Sequence, residues 1–457
     1  VAFNAAVTQN KIAWVPSGIY KVTNLVIPNG SSQQSKLAIQ GEGMTVTWFK
    51  GQVSAGSYQN ISNLKIGDLG TTFKFTTNSQ YTDITNTHFR GGGAVDTSGH
   101  QEVILIGADS GANNYIHNIT FTGCEVERNL GTVYDYTNYG NGLNYNNISI
   151  YARATANSTH VTDIKFENCH FGVSNGEPGH NTGSSRMNIE VWQNDIPGAT
   201  QVQGFQHIDF INNVFEAADG TNLDFAGAHN WSTGYCLSGN SIISGNLFKG
   251  NGLDSDHPWQ QDLCLEPMCD MQITNNTFIG SSGSAGVNLL SSPSGYGYSQ
   301  NNVFKSNTID LTAPSEVTIK NVRHLQIKAK NTEYSYNTIK MNESWELMNI
   351  ELGGSNKIIN NTFTINFNQE TRLISFGHPN IAGYNPSTLN IVSGNVYYFP
   401  NQTPGIYVFG GSIDNSVSNN KFYGKKMPYV SDLTNTLQFL TNTFTLGAPS
   451  LAPTPNP

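Results

Sequence analysis

The sequence predicts an all-β fold, a single domain wound as a parallel β-solenoid of roughly twelve coils with an internal Asn ladder. Three observations predict it. A phrase recurs: an aliphatic or aromatic residue, two spacers, Asn, one spacer and a large apolar residue. Examples are Phe210-Ile211-Asn212-Asn213-Val214-Phe215 and Ile358-Ile359-Asn360-Asn361-Thr362-Phe363. Apolar residues stand two apart within each phrase, the strand period, and helical spacing is scarce. Asn, Ser, Thr and Gly fill the gaps, as tight turns between short strands require.

Taken in order, Thr87, Cys124 and Cys169 hold the rung position first. Asn213, Asn246, Asn276, Asn307, Asn337, Asn361, Asn395, Asn420 and Asn442 follow. A repeat this short cannot bury its own apolar face, so copies must stack. Stacking sets each side-chain amide beside the next one, and aligns Phe171, Phe215, Phe248, Phe278, Ile309, Ile339, Phe363, Tyr397, Phe422 and Phe444. A sandwich or propeller would need more two-residue Asn-Gly turns and no Asn at one fixed point. Cys124 and Cys169 read as small buried fillers on adjacent rungs, with a cross-coil disulfide as the alternative.

Composition narrows the partners. Among 457 residues only 12% are charged and the net charge is −9, with no basic stripe, which argues against nucleic acid. An acidic polysaccharide stays open, because local patches can oppose the net charge. Five cysteines without a CxxC pair exclude a zinc ribbon. No apolar run is long enough for a membrane span. The Pro/Thr-rich stretch 447–457 reads as a linker after a solenoid domain over 1–446, and the polar composition fits a secreted, extracellular protein.

The opening holds a further signal: Ala2-Phe3-Asn4-Ala5-Ala6-Val7, then Ile12-Ala13-Trp14-Val15-Pro16-Ser17-Gly18-Ile19-Tyr20, then Leu37-Ala38-Ile39-Gln40-Gly41-Glu42-Gly43. It resembles the start of the pectate-lyase-like superfamily of right-handed parallel β-helices, which includes polysaccharide lyases, glycoside hydrolases and tailspike-type depolymerases. The resemblance implies right-handed coils, a short N-terminal capping helix, a monomer or trimer, and a glycan groove along one parallel sheet. It implies no particular reaction.

After each phrase and a loop comes a second short strand: Met187-Asn188-Ile189-Glu190-Val191-Trp192, Leu223-Asp224-Phe225, Leu263-Cys264-Leu265-Glu266 and Val287-Asn288-Leu289. With the aliphatic residues inward, Glu190, Asp224, Glu266 and Asn288 point outward. Three carboxylates then fall on successive rungs, roughly 5 Å apart for neighbours and roughly 10 Å for the outer two. Acids that close raise one another's pKa, which suits glycoside hydrolysis: one stays protonated while another stays ionised. Trp192, Trp231 and Trp259, half of the six tryptophans, crowd the stretch and offer flat faces to sugar rings. His229, Asp254, Asp256 and His257 add polar groups at the same level.

Three functions compete. A glycoside hydrolase uses Glu190, Asp224 and Glu266 as acid, base and helper, with Asp224 indispensable and no cofactor. A polysaccharide lyase instead holds Ca²⁺ on those carboxylates against a uronate and takes a proton with a Lys or Arg, Arg186 and Lys249 being nearest in sequence. A glycan-binding spike or adhesin has no chemistry and would ignore Asp224→Asn. Met348-Asn349-Ile350-Glu351 echoes the acid-bearing strand several coils away, either as a stacking repeat or as a distal subsite.

Overall fold

The computed structural model describes residues 6, 11–68, 72–75, 78–91, 103–108, 114–127, 146–152, 159–173, 187–193, 204–216, 221–226, 237–249, 261–266, 268–279, 285–289, 299–311, 323–327, 329–341, 346–350, 353–365, 371–377, 387–399, 404–409, 412–432 and 436–446. The strands named below all pair in parallel. Among the described residues, one sheet has 15 strands, from Ile12–Val15 to Gln438–Leu440. A second has 27, arranged as two rows that share the long strand Thr47–Ala55. A third has four. The stack is a parallel β-solenoid. In the first row the strands Ile12–Val15, Leu37–Gly41 and Gln59–Ser62 precede the first phrase, and each later strand leads into one copy of it. The expected capping helix falls on residues 1–10, of which only Ala6 is described. The proposed linker lies outside the described residues. Among these residues no helix is long and apolar enough to cross a membrane.

The phrase works as two devices in one turn. The residue before each rung adopts a left-handed conformation: Asn212 has φ 55°, Asn275 58° and Asn360 57°. Asn tolerates that region because its short side chain bonds locally. Gly245 takes the same place at φ 69°, where a Cβ would meet Asn212 Oδ1 at 2.2 Å. The turn then points the rung amide inward. Asn307 Nδ2 donates to Ile273 O at 3.0 Å and to Asn337 Oδ1 at 3.1 Å, while its Oδ1 accepts from Asn276 N and Nδ2. The ladder runs unbroken from Asn213 to Asn442, and Cys169 N donates into its top at 2.8 Å. Cys124 and Cys169 are free and buried, as the filler reading expects.

Beside the ladder runs the apolar stack. Phe248 lies between Phe215 at 4.6 Å and Phe278 at 4.7 Å, with rings nearly parallel, and Phe363, Tyr397 and Phe422 repeat the arrangement lower down. A second stack, Phe121–Phe166–Phe210, fills the first row. Truncating one such ring to Ala would cost about 4 kcal/mol. A second amide ladder, Asn356–Asn390–Asn415, occupies another turn and was not foreseen.

Candidate active site on the third strand row

The third row holds the strands Met187–Gln193, Thr221–Ala226, Gln261–Glu266 and Ala285–Leu289. Strand alternation decides what each residue does. Ile189, Val191, Leu223, Phe225, Leu263 and Leu265 are fully buried in the core, so their neighbours take the outer face. Glu190 pairs directly with Asp224. Side chains that share a pleat on adjacent rungs start roughly 5 Å apart. Glu190 is half-buried, and Asp224 is 8% exposed.

The expected column of three acids needs correction. Asp224 pairs with Cys264, and Glu266 pairs with Ala226, two residues further along the strand. The reason is apolar register. Leu223 packs beside Leu263 and Phe225 beside Leu265, whereas the sequence alone allowed Leu265 to sit beside Leu223. Glu266 therefore stands on a diagonal from Asp224, roughly 8 Å away by strand geometry. Asn288 does fall on the Glu190–Asp224 column, next to Cys264. Trp192 pairs with Ala226 across the rungs. Trp231, Trp259, His229, Asp254, Asp256, His257 and Arg186 lie outside the described residues.

Sequence reading missed a third polar row just behind the acids. Asn188 Nδ2 donates to Asn222 Oδ1 at 2.7 Å, and Asn222 Nδ2 donates to Asp262 Oδ1 at 2.9 Å. All three are fully buried. Each stands two residues before the acid column, so the same reading across coils could have found them. Asn188 also donates to Glu216 O at 3.0 Å, which ties this row to the neighbouring one. There burial pushes the Glu216 carboxyl up, but Lys249 and His170 outweigh it and hold it below the usual range. Lys249 is thus committed to an ion pair with Glu216.

Further down, the column continues as Gln326, Asn349, Ser375 and Tyr407. The Asn349 amide and the Ser375 hydroxyl are buried and make no hydrogen bond among the described residues. Above Glu190 come Ser149, Leu105 and then Lys74, a base three rungs away.

No protein-family description matches the chain, and no curated protein matches it. Among solved structures, it is similar to a PL6 alginate lyase in complex with a trisaccharide, with TM-score 0.51 and 12% identity over 96% of this chain and 85% of that one. The fold is the right-handed parallel β-helix. Two further similar structures score lower. One is a mannuronic-acid-specific polysaccharide family 6 lyase from human gut microbiota, at TM-score 0.49 and 12% identity over 96% and 81% of the two chains. The other is PfbA, a surface adhesin of Streptococcus pneumoniae, at 0.47 and 15% over 84% and 89%. At such identities the likeness is one of fold, and the reaction must be argued from this chain's own residues.

Proposed function

We propose that the protein is a secreted polysaccharide-degrading enzyme, a glycoside hydrolase whose acid–base chemistry centres on Asp224. The observation behind this is the direct pairing of Glu190 with Asp224 on the outer face, with Asp224 nearly buried. Two acids at adjacent rungs, roughly 5 Å apart, suit a nucleophile and an acid/base in a retaining mechanism. The diagonal pair Asp224 and Glu266, at roughly 8 Å, leaves room for a water and suits inversion. Asp224 belongs to both pairs. In either mechanism one carboxyl gives its proton to the departing glycosidic oxygen. The oxygen of water ends on the anomeric carbon and its proton returns to a carboxylate. The disulfide bond at Cys269 is consistent with an oxidising, extracellular setting.

Uronate elimination is the second reading, favoured by the name of the alginate lyase that shares this fold. It asks for a calcium site and a free base. Ca²⁺ prefers six or more oxygen ligands. Glu190 and Asp224 would supply carboxylates, but the next rung offers the Cys264 thiol in place of an oxygen. Of the basic residues described nearby, Lys249 is paired and Lys74 is three rungs off.

Incubation with microbial, plant and algal polysaccharides, following reducing ends and ultraviolet absorbance together, separates the readings. New reducing ends without absorbance, insensitive to chelator and lowered about 10³-fold in Asp224→Asn, is the expected result. An unsaturated product that disappears with chelator would overturn hydrolysis. Retention of a glycan without any product, unchanged in Asp224→Asn, would leave a binding spike.

A further inference from the structure

The two ends of the solenoid differ, and the C-terminal one is open. Among the described residues, the last strands Tyr429–Asp432, Gln438–Leu440 and Thr443–Leu446 pair only with the coil above. Their inward positions continue the core columns but lose the cover. Ile406 and Val417 are fully buried and Phe422 is 2% exposed. Directly below them, Val430 is 41% exposed, and Phe439 and Phe444 are half-buried. Leu446, below the buried Gly424, is 74% exposed. At the opposite end the inward residues of the first strand, Ala13 and Val15, are buried, as is Ala6, whose carbonyl accepts from Lys11 N at 2.9 Å.

The amide ladder stops in the same way. Asn420 donates its backbone N–H and one Nδ2–H to Asn442 Oδ1 at 2.9 and 3.0 Å, as each rung above it does to the next. Asn442 carries the same donors. One Nδ2–H goes to Val417 O at 2.8 Å, but among the described residues nothing below accepts the other or the backbone N–H. Unpaired backbone groups and apolar side chains therefore share one end of the stack. Folded proteins guard such edges with charges or proline, yet residues 433–446 contain neither. The eleven residues that follow, 447–457, are half the shortest step between rungs, 22 residues, and cannot cover three strand rows. A second C-terminal end can. Across a two-fold axis, edge strands run antiparallel and supply one another's N–H and C=O groups, and both copies bring the same apolar columns. The N-terminal end matches less well, because its first-row core positions are covered.

We propose that the last coil is the interface of a homodimer, in which two solenoids abut end to end about a two-fold axis. Val430, Phe439, Phe444 and Leu446 of each copy meet their counterparts and close the core across the joint, while Leu440, 57% exposed, packs at its edge. The outer column that starts at Asp224 reaches Ser431 after seven rungs. The dimer is then a rod carrying its two acid pairs roughly 70 Å apart, so neither copy completes the other's site. The inference goes beyond the proposed function and does not draw on it.

The test is sedimentation velocity of the full chain across micromolar concentrations, with mass as the readout and no substrate present. The parent should sediment at twice the mass of one chain and dissociate on dilution. Leu440→Lys with Leu446→Lys sets like charges against each other in the joint and should weaken association about 100-fold, giving single chains. Ile279→Lys, at a mid-stack position 44% exposed, should leave the dimer as it is. An unchanged slope in urea unfolding shows that each variant is folded. Should the double variant lose cooperative unfolding, Leu446→Lys alone, on the last described residue, decides by the same shift in mass. A parent that stays a single chain at every concentration overturns the proposal, as does a dimer that the folded lysine variants keep. A trimer overturns the two-fold arrangement. Masses that keep growing with concentration mean head-to-tail stacking and overturn it too.

Discussion

Glu127 shows how one residue can set the acid stability of several coils. Burial pushes its carboxyl up, but His88 first, then Lys65 and Arg90, outweigh that and hold it below the usual carboxylate range. A carboxylate whose folded pKa is depressed stabilises the protein above its unfolded pKa, and that contribution is lost as pH falls through the folded value. Glu127→Gln should therefore cost about 3 kcal/mol at neutral pH, since it leaves the part-buried His88, Lys65 and Arg90 without their acid. Its stability should also fall less than the parent's between about pH 5 and pH 3. Urea unfolding of both proteins across that range measures the difference. Asp209 differs in sign: burial raises its carboxyl despite a 2.8 Å hydrogen bond from Ile242 N, so it works slightly against the fold at neutral pH. The acids at 190 and 224 were legible at this scale because alternation alone assigns them to the outer face. Glu266 was misplaced because Leu223 and Phe225 are both apolar and either could have matched Leu265.

At the scale of elements, the turn phrase does most of the work. Each central amide makes four hydrogen bonds, so a lost rung harms both neighbours as well as itself. Asn307→Ala should destabilise the protein by about 3 kcal/mol, read as a shift in urea midpoint with unchanged slope. The aromatic stack predicts the opposite for Tyr397. Its hydroxyl is fully buried without a hydrogen-bond partner among the described residues, and that burial raises its pKa far above the ordinary phenol value. Tyr397→Phe keeps the ring against Phe363 and Phe422, removes the unsatisfied oxygen, and should raise stability by about 1 kcal/mol in the same assay. The main ladder could be read from sequence because Asn recurs at one phase with a large apolar residue two positions on. The second ladder could not. Its rungs at Asn356, Asn390 and Asn415 follow Met271 and Thr332 at equivalent turns, so no uniform phrase marks it.

For the whole molecule, the parallel winding and the inward stacks were implied by the spacing of one short phrase, because a solenoid repeats its local physics in every turn; the roughly twelve coils it implied fall short of the 15 strands described in the first row, because Ile12–Val15, Leu37–Gly41 and Gln59–Ser62 come before the first phrase. The charged cluster of Lys50, Lys65, His88, Arg90 and Glu127 beside Trp48 was not implied. Its members come from separate strands whose sequences, Thr-Trp-Phe-Lys, Lys-Ile and His-Phe-Arg, share no motif, and only registration brings them together. From Asn213 down to Asn442 the sequence interval between rungs varies from 22 to 34 residues, yet every amide-to-amide contact stays between 2.9 and 3.1 Å. Contour length is thus decoupled from height. Segments between strands can be lengthened, shortened or exchanged while the scaffold keeps its pitch, so a lineage built on this frame can remodel what it grips without disturbing where its acids stand.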